Sequence, residues 1–371
     1  MNPCSVPFFN YPYVFTASEG RFIETLRNVG RRGAFIMQKD LAEFEANLAR
    51  YVGATYAVGV ANATDGLQMA FMAGGLNAGE EVIICSHTMV ATAASIHFAG
   101  GVPVPVEVGP DHGIDPVAIE AAITPKTRAI CPTHLNGRTC NMDRIMTIAA
   151  KHGLEVFEDA AQALGSKFKG RSAGTFGRAA CISFYPAKVL GCLGDGGAVL
   201  TNDEGIYRRL ILLRDHGRDE TGDVVMWGMN SRLDNVESAY LDFQLRDYAT
   251  VVERRRGIAA IYQERLGKCG RVILPPAPGS DPDHFDIYQN YEIEANRRDE
   301  LKAYLKDQGV GTLIQWGGRP VHQFTKLEFK QHLPRTDRFF TRCIMFPLNM
   351  SLTDGDVHYV CDKVLAFYRH K

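Results

Sequence analysis

Several absences narrow this chain before any motif is read. The nine cysteines are odd in number and scattered, with no CxxC pair among 371 residues. That excludes a disulfide framework and a zinc site as expectations, and it fits a reducing compartment. Neither sign of charge is in excess: 41 basic and 42 acidic side chains leave a net charge of -1. No electrostatic case exists for nucleic acid or an anionic membrane surface as partner. No uninterrupted apolar run reaches bilayer-spanning length, and no apolar N-terminal stretch precedes a small-residue cleavage site. Repeats, low-complexity tracts and a flexible linker are also lacking. The expectation is a cytoplasmic protein without a metal.

The composition that remains, 46% apolar and 22% charged, is that of an ordinary globular enzyme. The length accommodates one large α/β domain and a smaller one. Residues 1–35 are rich in proline and aromatics (Pro3, Pro7, Phe8, Phe9, Tyr11, Pro12, Tyr13) without a sustained period. Such an arm packs on a neighbour or covers a site entrance. From Leu41 to Tyr51 apolar residues fall at helical spacing, and Gly53 follows as a C-terminal cap. A strand-helix alternation then begins, with strands expected at Tyr56–Val60, Glu81–Cys85, Val102–Val108, Thr127–Cys131, Leu154–Glu158, Ala179–Phe184 and Gly197–Thr201. Helical segments lie between several of them, among them Leu67–Ala73, Val90–Phe98, Pro116–Ala122 and Met142–His152. Near-continuous apolar strands in βα units imply a mostly parallel seven-stranded sheet covered by helices on both faces. A single long helix is expected from Asp234 to about Leu266, bridging a large domain (1–240) and a small α+β domain (241–371). In the latter, strands are expected near Asn290–Glu294 and at Gly311–Trp316, with helices at Arg298–Gln308 and from about Thr353, where Thr353 and Asp356 have capping-box spacing.

Ligands of parallel sheets collect beyond the strand C-termini, so the residues there carry the functional argument. After the strand ending at Phe184, one lysine, Lys188, enters a turn rich in glycine (Gly191, Gly194, Gly196, Gly197). A desolvated lysine amine is the side chain that forms Schiff bases with carbonyl compounds, pyridoxal phosphate (PLP) included. The alternative is a surface lysine in a strand-to-helix loop. Asp159 ends an earlier strand, where a carboxylate needs a partner. It could hold a pyridinium nitrogen protonated, cap a helix or answer a lysine. Gln162 lies one helical turn further on. Asn62-Ala63-Thr64 opens a helix after the first strand, so its N–H groups and the Thr64 hydroxyl could cradle a phosphate, or Thr64 could simply cap the helix. Ser183 could reach the same phosphate or be satisfied by backbone.

These stretches resemble the fold type I sugar aminotransferases of the DegT/DnrJ/EryC1/StrS family over nearly the whole chain. The most specific pieces are Glu158–Gly165, Gly170–Gly177, Ser183–Lys188, Gly194–Thr201, Leu213–Gly217 and Gly228–Asp234. The resemblance implies a Schiff base on Lys188, a pyridinium partner in Asp159, and phosphate contacts from Thr64, Ser183 and the backbone at Ala63. It further implies a homodimer with sites at its interface, Asn230 reaching the cofactor phosphate in trans and Arg232 beside it. Gln162 would pack by the cofactor and touch the sugar, which Tyr185, Lys188, Arg232 and His322 would also meet. An aromatic residue usually covers the cofactor ring at the position held here by Met89, whose thioether can cover it by dispersion. His87 reads as a satisfied loop residue. The implied reaction moves an amino group from L-glutamate, released as 2-oxoglutarate, through pyridoxamine phosphate (PMP) to a nucleotide-linked ketosugar. Two alternatives are a sugar dehydratase, whose relatives replace the lysine with histidine, and a non-catalytic regulatory homologue.

Overall fold

The computed structural model describes residues 5–369, so Pro3 of the N-terminal arm lies outside the described residues. The chain forms strands β1 (Tyr56–Val60), β2 (Glu81–Cys85), β3 (Val102–Val106), β4 (Thr127–Cys131) and β5 (Glu155–Asp159). A two-residue pair follows, β6 (Lys167–Phe168) and β7 (Arg171–Ser172), and then β8 (Ala179–Ser183) and β9 (Gly197–Thr201). Seven of these make one sheet in the order β1-β9-β8-β5-β4-β2-β3. Four pairings are parallel (β2 with β3, β2 with β4, β4 with β5, β5 with β8). The expected mostly parallel sheet is therefore present. Its exception is β9, antiparallel to both β1 and β8, because the glycine-rich turn folds the chain straight back after β8.

The central strands are short and apolar because both their faces are covered. All five residues of β9 and the first four of β8 are buried. Phe184 packs edge-on against Phe44 of the Lys39–Val52 helix at a centroid distance of 5.3 Å. Met142–His152 is a helix as expected, capped by the Asn141 side chain and stopped by Gly153 at φ 65°.

Three expectations need correction. The N-terminal segment is mostly helical, with Tyr11–Thr16 and Glu19–Arg32. The long helix after Asp234 is two helices, Asn235–Arg246 and Tyr248–Leu266, because Asp247 at φ -100° and ψ 5° leaves the helical region. A second, three-stranded sheet holds β10 (Val272–Ile273), β12 (Tyr291–Ala295) and β13 (Cys343–Phe346), while β11 (His284–Phe285) pairs with β6. Gly311–Trp316 is not one of its strands. Only Leu313 bridges Met345 before the chain turns at Gln315–Gly318, with Trp316 held at φ 56°. The final helix is Asp354–Arg369, and Thr353 and Asp356 exchange the two hydrogen bonds of a capping box. The N-terminal arm crosses the molecule: Val6 donates to Gly309 and accepts from Gly311, both at 2.8 Å.

Candidate active site

A cavity of about 800 Å³ opens beyond the C-terminal ends of β2, β4, β5 and β8. Lys188 lines it from the turn after β8, whose own bonds run from Lys188 N to Tyr185 O and from Cys192 N to Phe184 O, each 2.8 Å. Gln289, preceding β12, clamps that turn from the other side. Its Oε1 accepts from Val189 N at 3.0 Å and its Nε2 donates to Ala187 O at 2.9 Å. Burial lowers the Lys188 amine from its ordinary value to about 8, with Asp159 opposing the shift. The residue keeps some accessibility because it faces the cavity.

Asp159 shares that cavity at the end of β5. Its Oδ2 accepts from Thr92 Oγ1 at 2.7 Å and its Oδ1 from Ala161 N at 3.1 Å. A carboxylate only accepts, and this fixes a direction through the hydroxyls behind it. Thr92 spends its proton on Asp159 and accepts from Thr88 (2.8 Å), which in turn accepts from Thr133 (2.9 Å). Such one-way chains strengthen each member. The neighbouring Glu158, fully buried, faces away from this chemistry. It accepts from the backbone N–H groups of Gly174, Phe176 and Gly177 at 2.7–2.8 Å and from His134 Nε2 at 2.8 Å. His134 Nδ1 accepts from Cys140 N, so its proton is on Nε2. The Gly170–Gly177 motif thus wraps the Glu158 carboxylate, next to the Asp159 carboxylate that lines the cavity.

The third element is the start of the Ala63–Ala73 helix. Asn62 is its cap, accepting from Asp65 N at 2.9 Å, so Thr64 is not the capping residue and lines the cavity with Ala63. A helix start presents N–H groups and positive dipole to an anion. Gly197 of β9 lies against it: a Cβ there would be 2.7 Å from Asn62 C and 2.8 Å from Ala63 N. Ser183, directly opposite Gly197, lines the cavity next to this start.

The fourth wall is amide-rich and largely absent from the sequence reading. Gln162 Oε1 accepts from Asn136 N (2.8 Å) and Asn290 Nδ2 (3.3 Å), while its Nε2 is 3.5 Å from Gln315 Oε1. Asn136 Oδ1 accepts from Gln315 Nε2 at 2.8 Å and from Asn290 Nδ2 at 2.9 Å. Met89, Tyr185, Trp316 and the arm residues Phe8, Phe9 and Tyr11 supply apolar surface.

The cavity therefore gathers Ala63, Thr64, Met89, Asp159, Gln162, Ser183, Tyr185 and Lys188. It does not include Asn230, Arg232 or His322. His322 is buried, with Nδ1 2.7 Å from Ser86 Oγ and Nε2 3.0 Å from Asp337. Arg232 donates to Asp215 at 2.7 Å, and Asn230 is exposed. Ser231 between them donates to Asp65 Oδ2 at 2.8 Å, docking the segment beside the phosphate-type helix start. His87 is buried, its Nε2 3.5 Å from Glu292. The threonine chain had one signal, Thr88 and Thr92 four residues apart at a helix start; the Gln289 clamp and the amides Asn136, Asn290 and Gln315 had none. Among the described residues no cluster suited to a metal ion is present.

Residues 17–365 match the sequence profile of the DegT/DnrJ/EryC1/StrS aminotransferase family. A curated relative, the dTDP-3-amino-3,4,6-trideoxy-alpha-D-glucose transaminase of Streptomyces venezuelae, is 36% identical over 97% of this chain and 95% of its own length. The pleiotropic regulatory protein of Geobacillus stearothermophilus is likewise 36% identical, over 99% of both chains. Among solved structures, S. venezuelae DesV in complex with a ketimine intermediate superposes with a TM-score of 0.93 at 35% identity, covering 98% of each chain.

Proposed function

The chain belongs to the DegT/DnrJ/EryC1/StrS aminotransferase family, and from that premise we propose that its cavity transfers an amino group from L-glutamate to a nucleotide-linked ketosugar. The carrying observation is the meeting of three unlike groups on one cavity: the Lys188 amine lowered to about 8, the Asp159 carboxylate, and the Ala63–Thr64 helix start. These match the three polar parts of PLP, namely aldehyde, ring nitrogen and phosphate. The approach of Gly197 supports the fit, since any Cβ there would crowd the helix start.

When bound, PLP supplies the electron sink and carries the amine. Lys188 Nζ, lowered to about 8 by burial, would hold the cofactor through its aldehyde and would carry the proton at the substrate carbon. Asp159, oriented by Thr92 and Ala161, would hold the ring nitrogen and favour its proton. Ser183, Thr64 and the first-turn amides would hold the phosphate. Met89 would cover the ring by dispersion, and the Gln162 side of the cavity would meet the sugar with Tyr185.

The second subunit belongs to this reading. Next to Asn230, Val224, Val225 and Trp227 are exposed, Trp227 at 94%. So large an exposed apolar group is suited to an interface. We place it in a homodimer, with Asn230, Arg232 and His322 acting at the interface or at its sugar end. A cytoplasmic location and lobes dividing near residue 240 complete the proposal; among the described residues no helix is long and apolar enough to cross a membrane.

Purified protein should be yellow, lose its colour with L-glutamate and regain it with 2-oxoglutarate. A panel of nucleotide-linked 3-keto and 4-keto sugars, with products located by NMR, then identifies the acceptor. A protein that binds PLP but never bleaches with any amino donor would overturn the reading. The kept lysine distinguishes the chain from the dehydratase alternative.

A further inference from the structure

One carboxylate outside the active-site cavity controls which way the amide wall faces. Glu292 on β12 is buried, lines a separate cavity of about 430 Å³, and does not line the active-site cavity. Its Oε2 accepts from Asn136 Nδ2 at 2.8 Å. The two ends of an amide are nearly alike in shape, so their direction follows from the partners' chemistry. A carboxylate cannot donate, so Asn136 must present Nδ2 to Glu292 and Oδ1 to the opposite side. That oxygen then requires donors, and Gln315 Nε2 and Asn290 Nδ2 supply them. Gln315 is thereby turned with Oε1 toward Gln162. Gln162 is turned independently, because the Asn136 N–H must meet an acceptor and Oε1 takes that place. Asn136 itself is held at φ 57°, a left-handed conformation set by these contacts.

The result is a donor, Gln162 Nε2, beside an acceptor, Gln315 Oε1, 3.5 Å apart on residues that line the active-site cavity. Two hydrogens on a nitrogen facing a single oxygen at that distance leave capacity on both atoms. We infer that Glu292 is a positioning residue that fixes this polarity and so makes the cavity select a substrate hydroxyl at that point. A hydroxyl accepts from Gln162 and donates to Gln315 together; a keto oxygen or a deoxygenated carbon cannot. The inference rests on the proposed reading of the cavity as a sugar site, but the amide direction itself does not.

Two measurements keep these apart. A neutron structure of the deuterated protein should show Asn136 Nδ2 toward Glu292 and Gln315 Nε2 toward Asn136. In Glu292→Leu, Asn136 should lose that preference and Gln315 should turn or become mixed. The reverse orientation in the wild type, or an unchanged layer in Glu292→Leu, overturns the inference whatever the enzyme acts on. In kinetics with the ketosugar identified from the panel, Glu292→Leu should raise its KM roughly tenfold, the effect of losing about one well-placed hydrogen bond. The L-glutamate half-reaction, followed by bleaching, should change less than about twofold. Glu292→Gln keeps the volume and one acceptor without imposing a direction, so it should fall between wild type and Glu292→Leu. In a Gln315→Ala background the Glu292 effect should vanish, since the residue through which it acts is gone. Equal loss in both half-reactions, or additivity with Gln315→Ala, would mean a merely structural role. Should Glu292→Leu fail to fold, Glu292→Gln in the same cycle decides by the same criteria.

Discussion

The two sides of the active-site cavity are built by opposite means. The sheet side places each functional group at the end of an element: Asp159 at β5, Ser183 at β8, Thr64 in the first turn of a helix. β5 and β8 are paired within the central sheet, and the helix start lies against Gly197 of β9. The opposite side uses Gln162, Asn136, Asn290 and Gln315, long or flexible amides whose direction depends on one another and on Glu292. On the proposed reading, amino transfer falls to the sheet side and contact with the sugar to the amide side.

That contrast predicts losses of rate on one side and losses of affinity on the other. Lys188→Met should cut glutamate-driven turnover by roughly 10³-fold or more, the scale of removing an acid–base group that is also the nucleophile. Steady-state assays of the pure variant check it, and near-normal turnover would break the comparison outright. The pH dependence of the same amine comes next. Because its folded value is lowered to about 8, the rate at which apoprotein captures PLP should climb about tenfold from pH 7 to pH 9. Stopped-flow absorbance reads this directly. The stability sign follows as well. From about 8 up to the ordinary lysine value the unfolded chain binds the proton that the folded chain has lost, so apoprotein stability rises with pH there. Lys188→Met should lack that slope in pH-dependent denaturant melts.

Gly197→Ala should be smaller but still on the sheet side. A methyl 2.8 Å from Ala63 N must push the helix start away, costing about 1–3 kcal/mol of stability and weakening phosphate binding. Cofactor titration and thermal melting test it together. Smallest is Gln315→Ala, for which a KM increase of about three- to tenfold for the ketosugar is expected, with kcat nearly kept. A collapse of kcat instead would show that the amide wall takes part in the chemistry.

The same division explains what could be read from the chain. Strand ends are legible because an apolar run followed by a polar residue and a glycine announces both the element and its edge. Asp159, Lys188 and Thr64 stand at or just beyond such ends, and all seven sheet strands start within one residue of the expected position, six of them at it. The direction of β9 was not legible, since an antiparallel return and a parallel crossover start from the same apolar run. Asp247 interrupts a helical pattern without glycine or proline to mark the break. Asn136, Asn290 and Gln315 escaped because asparagine and glutamine have no period or motif; contacts reaching as far as 179 residues along the chain give them meaning. Gln289, 100 residues from Val189, is the clearest case.

The pairing of Val6 with Gly309 and Gly311 has a consequence for synthesis. Val6, near the start of the described residues, is stitched to a segment translated some 300 residues later. At ordinary elongation of about 5–20 residues per second, the arm waits roughly 15–60 s on the ribosome before its partner emerges. Phe8, Phe9 and Tyr11 remain unplaced during that interval, so the pocket they wall is among the last parts of the nascent protein to close.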